Sequence, residues 1–312
     1  MELSFLKVLV NVGVLIALCI PGYVLRKLGK IKKGTVSSLV AVLIFVCQPL
    51  LSVTSFQQVQ YSPSLLANMG IVFAGSLGIQ LIVFIAVKLI YSRFRIPLTE
   101  SGVYMYASVF PNCGFMGLPI MKMLFPESPE LVLYAAIFMV SFNLLSWTVG
   151  IYMLTGDRTQ MKLWKAIVNP PCITLIVALP LFFLNIHLTD YIPTIYSGIV
   201  MLADMTTPVA MIIMGVKLAE VPFREIFANP YVYVVSFVKL LAAPLLLYLI
   251  LLPFELDLLV KVGLVLLSAM PSAASVVAYA ENFGSDARSA AKAMLACSLL
   301  SVVTIPLVAL VL

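Results

Sequence analysis

Residues 101–119 read SGVYMYASVFPNCGFMGLP, which places two prolines and two glycines within the nine residues from Pro111 to Pro119. The stretch lies inside a hydrophobic span at about 98–125. Proline removes a backbone donor and clashes with the preceding helical turn, and glycine adds backbone freedom. About 13 residues of the span precede Pro111, or roughly 20 Å at 1.5 Å per residue. The stretch therefore predicts a helix broken near the centre of a bilayer, where freed backbone must be buried in protein or line a wet cavity.

The same pattern occurs twice along the chain. Pro208 and Pro271 follow Pro49 and Pro111 at offsets of 159 and 160 residues, and all four lie within hydrophobic spans. The second strong break is predicted in the sequence SAMPSAAS at 268–275. Broken helices in duplicated halves are typical of transporters and indicate where the substrate binds. If the two breaks cross, the N-termini of their second halves converge and favour an anion.

The composition predicts an integral membrane protein. The 312-residue chain is 62% hydrophobic and 10% charged, with a mean hydropathy of +1.13, whereas soluble domains carry about 25% charged residues. Spans of about 20 apolar residues cross a bilayer as helices. The chain has no basic stripe with interleaved aromatic residues, so nucleic acid is not predicted as a partner. The ten predicted spans lie at about 4–28, 36–56, 65–91, 98–125, 130–155, 170–187, 191–219, 231–252, 258–282 and 285–312.

Lys and Arg are concentrated in alternate loops. Of the 19 Lys and Arg residues, 15 lie in or beside the loops after spans 1, 3, 5, 7 and 9. The positive-inside rule assigns these loops to the cytoplasm, so both termini are predicted to lie outside. Five spans per half make the second half enter the membrane from the opposite side, which predicts an inverted repeat of residues 1–155 and 156–312. The 15 are Arg26, Lys27, Lys30, Lys32, Lys33, Lys88, Arg93, Arg95, Arg158, Lys162, Lys165, Lys217, Arg224, Arg288 and Lys292.

Other features exclude several kinds of site. The five cysteines all fall within spans and predict no disulfide or zinc framework. The single histidine, His187, cannot form a metal site alone, and no nucleotide-binding motif is present. We therefore predict no metal and no cofactor. The basic segment Gln160–Asn169 carries Trp164 and is predicted to lie at the cytoplasmic interface.

The run Pro111-Asn112-Cys113-Gly114-Phe115-Met116-Gly117-Leu118-Pro119 resembles the fourth-helix signature of the auxin efflux carrier family, whose bacterial members include malonate and malate permeases. The resemblance extends over essentially the whole chain. Three other motifs carry it: Gln48-Pro49-Leu50-Leu51-Ser52 in helix 2, Ala269-Met270-Pro271-Ser272-Ala273-Ala274 in helix 9, and Tyr279-Ala-Glu281-Asn-Phe-Gly284-Ser-Asp286 before helix 10.

This resemblance implies an all-α fold of ten transmembrane helices. Two inverted five-helix repeats would cross their broken helices 4 and 9, as in NhaA-type antiporters and bile-acid transporters. Helices 1, 2, 6 and 7, within 1–56 and 170–219, would form a scaffold that dimerises. Helices 3–5 and 8–10, within 65–155 and 231–312, would form a transport unit that moves like an elevator in the plasma membrane. The family's substrates are organic anions.

The resemblance also implies a substrate site at the crossing. The amide of Asn112 is indicated by the residues themselves, because at a broken midpoint it can donate to a carboxylate; a cap for the second half-helix is the alternative. Asn143 in span 5 has two readings, a substrate contact or interhelical glue. By motif position the implied site comprises Gln48, Ser52, Pro111, Asn112, Cys113, Gly114, Pro271, Ser272 and Ala274.

Two charges lie inside predicted spans, Asp204 in span 7 and Lys239 in span 8. Charges within a membrane are costly and usually functional. In one reading Asp204 titrates a coupling proton and Lys239 attracts the anion; in the other each has a structural partner, which includes pairing with one another. Plant members of the family carry an acid and a base in helix 3, whereas residues 74–78 here read AGSLG, so a mechanism built on that pair is not expected.

We predict a secondary transporter of a small organic anion, a mono- or dicarboxylate, that exposes a midplane site alternately to each side. Proton coupling and uniport both remain open. A membrane sensor that binds its ligand without moving it is the alternative. An intramembrane enzyme is disfavoured, because Asp204 has no acidic partner in any span interior.

Overall fold

The computed structural model describes residues 4–93, 96–168 and 170–312. Arg95 and Asn169, which belong to the predicted basic loop and the predicted interfacial segment, lie outside them. The described chain is helical apart from turns and one isolated antiparallel bridge. Its long helices are α1 (Phe5–Lys27), α2 (Gly34–Gln57), α3 (Pro63–Tyr91), α4a (Leu98–Val109), α4b (Cys113–Leu124), α5 (Pro129–Thr155), α6 (Pro170–Phe183), α7 (Pro193–Glu220), α8 (Pro230–Leu251), α9a (Leu258–Ser268), α9b (Ser275–Asn282) and α10 (Ala287–Ala309).

Seven of these helices in the described residues are long and apolar enough to cross a membrane: α1, α2, α3, α5, α7, α8 and α10. The predicted spans 4, 6 and 9 instead contain shorter apolar helices. The structure thus shows an all-helical protein suited to a membrane, and the count of ten crossings stays a prediction. Short helices at Leu163–Ile167, Leu188–Tyr191 and Phe223–Ile226 lie in the connections.

The loops fall into two sets, each held together by polar contacts. On the face that we call the basic side, Arg26 pairs with Glu220 at 3.0 Å, and the backbone N–H of Asp286 donates to the carbonyl oxygen of Thr99. On the face that we call the opposite side, the backbone N–H of Leu188 donates to the side chain of Gln57 at 2.6 Å. The loops after α2, α6 and α8 share the opposite side, since the backbone N–H of Tyr61 donates to the side chain of Asn185 and the amide of Asn68 donates to Asp257.

Several contacts between helices occur in matched pairs. In each pair, both helices of one contact are replaced in the other by their equivalents in the other half, so that α1 corresponds to α6, α2 to α7, and so on. Helix α1 packs on α7, and α6 packs on α2. Helix α3 packs on α5, and α8 packs on α10. Helix α4a contacts α10, and α9a contacts α5. In these pairs, each helix therefore packs on the equivalent of the helix that its own counterpart packs on.

Two glycines set the close approach of α1 and α7. A Cβ atom at Gly22 would overlap the backbone carbonyl of Ile212, and one at Gly215 would overlap the backbone carbonyl of Cys19. Backbone atoms cannot move aside as a side chain can, so only glycine allows this contact. Small residues serve the same purpose at helix interfaces within membranes.

Candidate functional site at the crossing of helices α4 and α9

Both broken helices are interrupted where the prolines predict. Helix α4a ends at Val109 and α4b begins at Cys113, while α9a ends at Ser268 and α9b begins at Ser275. The two interruptions touch. The backbone N–H of Asn112 donates to the carbonyl oxygen of Pro271 at 2.7 Å, and the N–H of Ala273 donates to that of Phe110 at 2.9 Å. Each break therefore satisfies backbone groups of the other, as the absence of water in a bilayer core requires.

Asn112 holds the start of α4b and offers a free donor. Its side-chain oxygen accepts a hydrogen bond from the backbone N–H of Phe115 at 3.2 Å, which caps the second half-helix. Its carbonyl oxygen accepts from Met116 and Gly117. The side chain is 4% exposed, and its Nδ2 atom has no hydrogen-bond partner among the described residues. A buried polar group without a partner is costly, so this amide is positioned to donate to a ligand.

Two cavities meet at Asn112. One of about 440 Å³ runs between α2, α4b, α5 and the Leu163–Ile167 helix. The other, of about 540 Å³, runs between α2, α7, α9b and α10 as far as Lys217 and Glu220 at the basic side. Both are lined by Ile44, Asn112, Phe115, Ala274, Ser275 and Tyr279. The crossing is thus reached by cavities that extend toward the basic side.

Gly114, Gln48 and Met139 shape the floor of the first cavity. The amide nitrogen of Gln48 lies 3.9 Å from the sulfur of Met139, and a Cβ atom at Gly114 would stand 2.7 Å from that same nitrogen. All three residues line the cavity together with Cys113 and Asn143. The glycine therefore keeps space open beside the helix start, where the first N–H groups have no partner within the helix.

Lys239 lies behind the crossing, away from these cavities. The side chain is 1% exposed, and its ammonium group donates to the carbonyl oxygen of Ser268 at 3.1 Å and to that of Val109 at 3.5 Å. These carbonyls end α9a and α4a, where a helix carries partial negative charge. One cation thus faces the C-terminal ends of both first halves, and the N-terminal ends of both second halves face the cavities.

Asp204 and Lys239 do not pair with one another. Asp204 forms an ion pair with Lys122 of α4b at 2.6 Å, with about half of each side chain exposed. The pair joins α7 to the second half of the broken helix. Its position along α4b, well past the break, puts it toward the opposite side.

The remaining predicted site residues are divided between the cavity and the protein interior. Pro111, Cys113, Gly114, Gln48, Asn143 and Ala274 line a cavity with Asn112. Ser52, Pro271 and Ser272 do not appear in the lining of either cavity. The hydroxyl groups of Ser52 and Ser272 are buried and have no hydrogen-bond partner within residues 4–93, 96–168 and 170–312.

Sequence reasoning missed the aromatic lining of the first cavity. Phe142, Trp147 and Tyr279 line it, and the rings of Trp147 and Tyr279 lie 4.9 Å apart. The ammonium group of Lys165 lies 5.2 Å from the ring of Trp147. Aromatic residues are also common at the lipid interface of membrane helices, so the sequence alone does not place these three beside Asn112.

Comparison with protein families matches residues 7–163 and 156–309 to the family described as "Membrane transport protein". The two matched segments together cover nearly the whole chain. This chain belongs to that family of auxin efflux carrier-like membrane transport proteins. The resemblance carried by residues 111–119 is thereby confirmed. A search of curated proteins gives no significant match.

Membership has two consequences for function. The protein is a membrane transporter, and its family is one of transporters rather than enzymes. The seven long apolar helices in the described residues agree with a multi-pass membrane protein.

Proposed function

We propose that this protein is a secondary transporter that moves a small organic anion, a carboxylate, by alternating access of a site at the crossing of α4 and α9. The observation that carries the proposal is the buried Nδ2 atom of Asn112, which lines both cavities and has no partner among the described residues. A hydrogen bond to an ionised carboxylate is worth about 1.5–3 kcal/mol.

The start of α4b supports an anion at the same place. Helix α4b has twelve residues, Cys113 to Leu124, and the N-terminus of a helix carries about half a positive charge. Among the described residues, no carboxylate side chain lines the first cavity, whereas Lys165 does line it. The charge around the first cavity therefore complements a negative guest.

The packing of the two halves supports an inverted repeat of residues 1–155 and 156–312. Helices exchange partners in matched pairs, and the loops are held in two alternating sets. An inverted repeat gives two similar states, one open to each side of the membrane. We assign helices α1, α2, α6 and α7 to a scaffold, and α3–α5 with α8–α10 to a moving transport unit.

The exposed apolar faces of the scaffold support dimerisation through it. Ile176 of α6 and Met201 of α7 are more than 70% exposed. Lipid would cover these faces in a monomer, and a second copy would cover part of them in the homodimer that we propose. The clustering of basic residues supports a cytoplasmic basic side with both termini outside, and we propose that the protein lies in the plasma membrane.

Flux in proteoliposomes tests the proposal directly. Purified protein is reconstituted, and uptake of labelled malonate, malate and indole-3-acetate is measured with and without pH and sodium gradients. We expect flux of at least one carboxylate, lowered about tenfold or more at subsaturating substrate in Asn112→Ala and kept in Asn11→Ala, whose amide bonds within α1. Saturable binding without flux would favour a sensor, and equal flux in the two variants would contradict the proposed site.

The pH arm separates proton coupling from uniport. Asp204 is partly exposed and paired with Lys122, and a neutral side chain at this position could not form that ion pair. If Asp204 carries the coupling proton, Asp204→Asn abolishes pH-driven uptake and leaves exchange at equal pH. Unchanged pH-driven uptake in this variant would remove Asp204 from coupling.

A further inference from the structure

The ion pair between Lys122 and Asp204 joins the proposed scaffold to the proposed transport unit. Lys122 lies in the last turn of α4b, and Asp204 lies in α7. The distance between the ammonium nitrogen and the carboxylate oxygen is 2.6 Å. The pair lies beyond the crossing on the side away from the open cavities. It therefore joins α7 to α4b on the opposite side in the state that the structure shows.

Glu281 holds the equivalent place in the second half. It follows Lys122 by 159 residues, close to the offset of 160 between Pro111 and Pro271. It lies one residue before the end of α9b, as Lys122 lies two residues before the end of α4b. The two positions carry opposite charges. In the motif that contains Glu281, Tyr279 lines both cavities at the crossing, whereas Glu281 lines only the larger one.

Helix α7 offers a basic partner for Glu281. Lys217 follows Asp204 by 13 residues, or roughly 20 Å along the helix. Lys217 and Glu281 both line the cavity of about 540 Å³, which separates α7 from α9b at the basic side. A movement that closes this cavity brings their side chains together.

Lys217 is able to change partners. Its ammonium nitrogen lies 3.6 Å from a carboxylate oxygen of Glu220, while Arg26 binds the other oxygen at 3.0 Å. Glu220 therefore keeps a cation if Lys217 turns toward α9b. Glu281 is exposed and forms no ion pair within the described residues.

We propose that α7 carries two ion-pair latches that alternate: Asp204 with Lys122 on the opposite side, and Lys217 with Glu281 on the basic side. Each forms when the cavity on its own side is closed, and the movement that makes one breaks the other. This inference rests on the alternating access proposed above. A pair present in one state only shifts the population toward that state, so the two latches set the balance between the two states.

Cross-linking of cysteine pairs in membranes tests the latches without any substrate. One variant carries Lys122→Cys with Asp204→Cys and a protease site in the loop after α5. Another carries Lys217→Cys with Glu281→Cys and a protease site in the loop after α8. A short bis-methanethiosulfonate reagent is added, and cross-linked fragments stay together after cleavage. We expect both pairs to cross-link, and a variant with both pairs to form one link or the other in a given molecule.

Matched controls define the background. Asn68→Cys with Asp257→Cys joins two residues of the transport unit that already contact one another, so it should cross-link whichever latch is closed. The single-cysteine variants report reaction at the five native cysteines. Failure of the Lys217 pair to cross-link in protein that still transports would overturn the latch and leave the proposed function intact. If this pair does not cross-link and the protein also shows no flux, alternating access itself would be contradicted.

Exchange of charge gives a second readout that does not depend on cysteines. Lys217→Glu and Glu281→Lys should each lower flux about fivefold or more through repulsion across the closing cavity. The double exchange should restore flux to within about twofold of the parent. Single variants that transport like the parent, or a double exchange no better than the singles, would contradict the pairing.

Discussion

At the break in α4, the side chain of Asn112 caps the second half-helix, and Gly114 leaves space beside it. At the break in α9, no side chain caps α9b, and at the offset of 160 residues Ser272, Ala273 and Ala274 stand where the first break has Asn112, Cys113 and Gly114. The two breaks are joined to each other by two backbone hydrogen bonds. We therefore expect the first break to supply the ligand contacts of the proposed site and the second break to line the cavity beside them.

The second break is held by its neighbours instead of a cap. The hydroxyl of Tyr106 lies 3.1 Å from that of Ser275, the first residue of α9b. The hydroxyl of Ser285, just after α9b, donates to the carbonyl oxygen of Leu154 at 2.8 Å. Substitutions at the two breaks should therefore differ in kind: the first affects ligand binding, and the second affects stability through distant contacts.

The largest effect is expected at Lys239, whose ammonium group contacts the last carbonyl oxygens of both α4a and α9a. In Lys239→Glu, a negative charge would face the carbonyl oxygens of Val109 and Ser268 in the protein interior. We expect a loss of about 3–5 kcal/mol of stability and no monodisperse protein on size exclusion. Lys239→Met keeps the volume without the charge and should still fold. Normal yield and thermal stability of Lys239→Glu would contradict the contact with both helix ends.

The next effect separates the two breaks directly. Asn112→Ala removes the unpartnered amide and should weaken carboxylate binding by about 10- to 100-fold, the equivalent of a charged hydrogen bond of about 1.5–3 kcal/mol. Ser272→Ala removes a buried hydroxyl that has no partner among the described residues and should change affinity by less than about threefold. Isothermal titration of both variants measures the difference. Equal losses would mean that the two breaks share the anion.

A smaller effect is expected from filling the space at the first break. In Gly114→Ala the new Cβ atom would lie 2.7 Å from the Gln48 amide and 3.0 Å from the Met139 sulfur. These side chains can move, but they move into the cavity, so we expect about three- to tenfold weaker binding with little change in thermal stability. Gly78→Ala in α3, where nothing lies within 4 Å, is the control. Equal affinity in the two variants would show that the ligand lies elsewhere.

The smallest effect concerns the contacts beyond the second break. Arg288 at the start of α10 lies 2.6 Å from Glu225 and holds the pKa of that carboxyl group below its usual value. Because the folded pKa is the lower one, this pair stabilises the fold above the unfolded pKa, and its contribution is lost as the pH falls through the folded value. Glu225→Gln should lower Tm by about 2 °C or less at pH 7. The difference between parent and variant should shrink toward pH 3; a difference that is constant with pH would contradict it.

The interruptions themselves could be predicted because proline acts on its own chain. Pro111 and Pro271 remove donors wherever the helices lie in space, and an asparagine directly after a break is a strong cap. Pro49 and Pro208 are followed by continuing helix, and α2 absorbs Pro49 through the π-helical turn Leu43–Cys47. Proline therefore indicates a candidate break, and glycine or other small residues next to the proline indicate the two positions where the helix is interrupted.

The partners of the charged groups could not be predicted, because they depend on how helices far apart in sequence are placed. Lys122 and Asp204 are separated by 82 residues, and nothing in either span indicates the other. Lys239 lies in a π-helical turn, Val238–Ala242, that contains neither proline nor glycine. Its two carbonyl partners come from α4a and α9a. Only the packed structure shows that a residue considered as an anion attractor faces the negative ends of two helices.

A cryo-electron microscopy map of the protein with a saturating carboxylate, chosen from the flux assay, tests the central claim most directly. We predict α4 and α9 interrupted and crossed, with ligand density within hydrogen-bond distance of Asn112 Nδ2 at the start of α4b. An uninterrupted helix through residues 109–113, or a ligand bound away from the crossing, would contradict this claim.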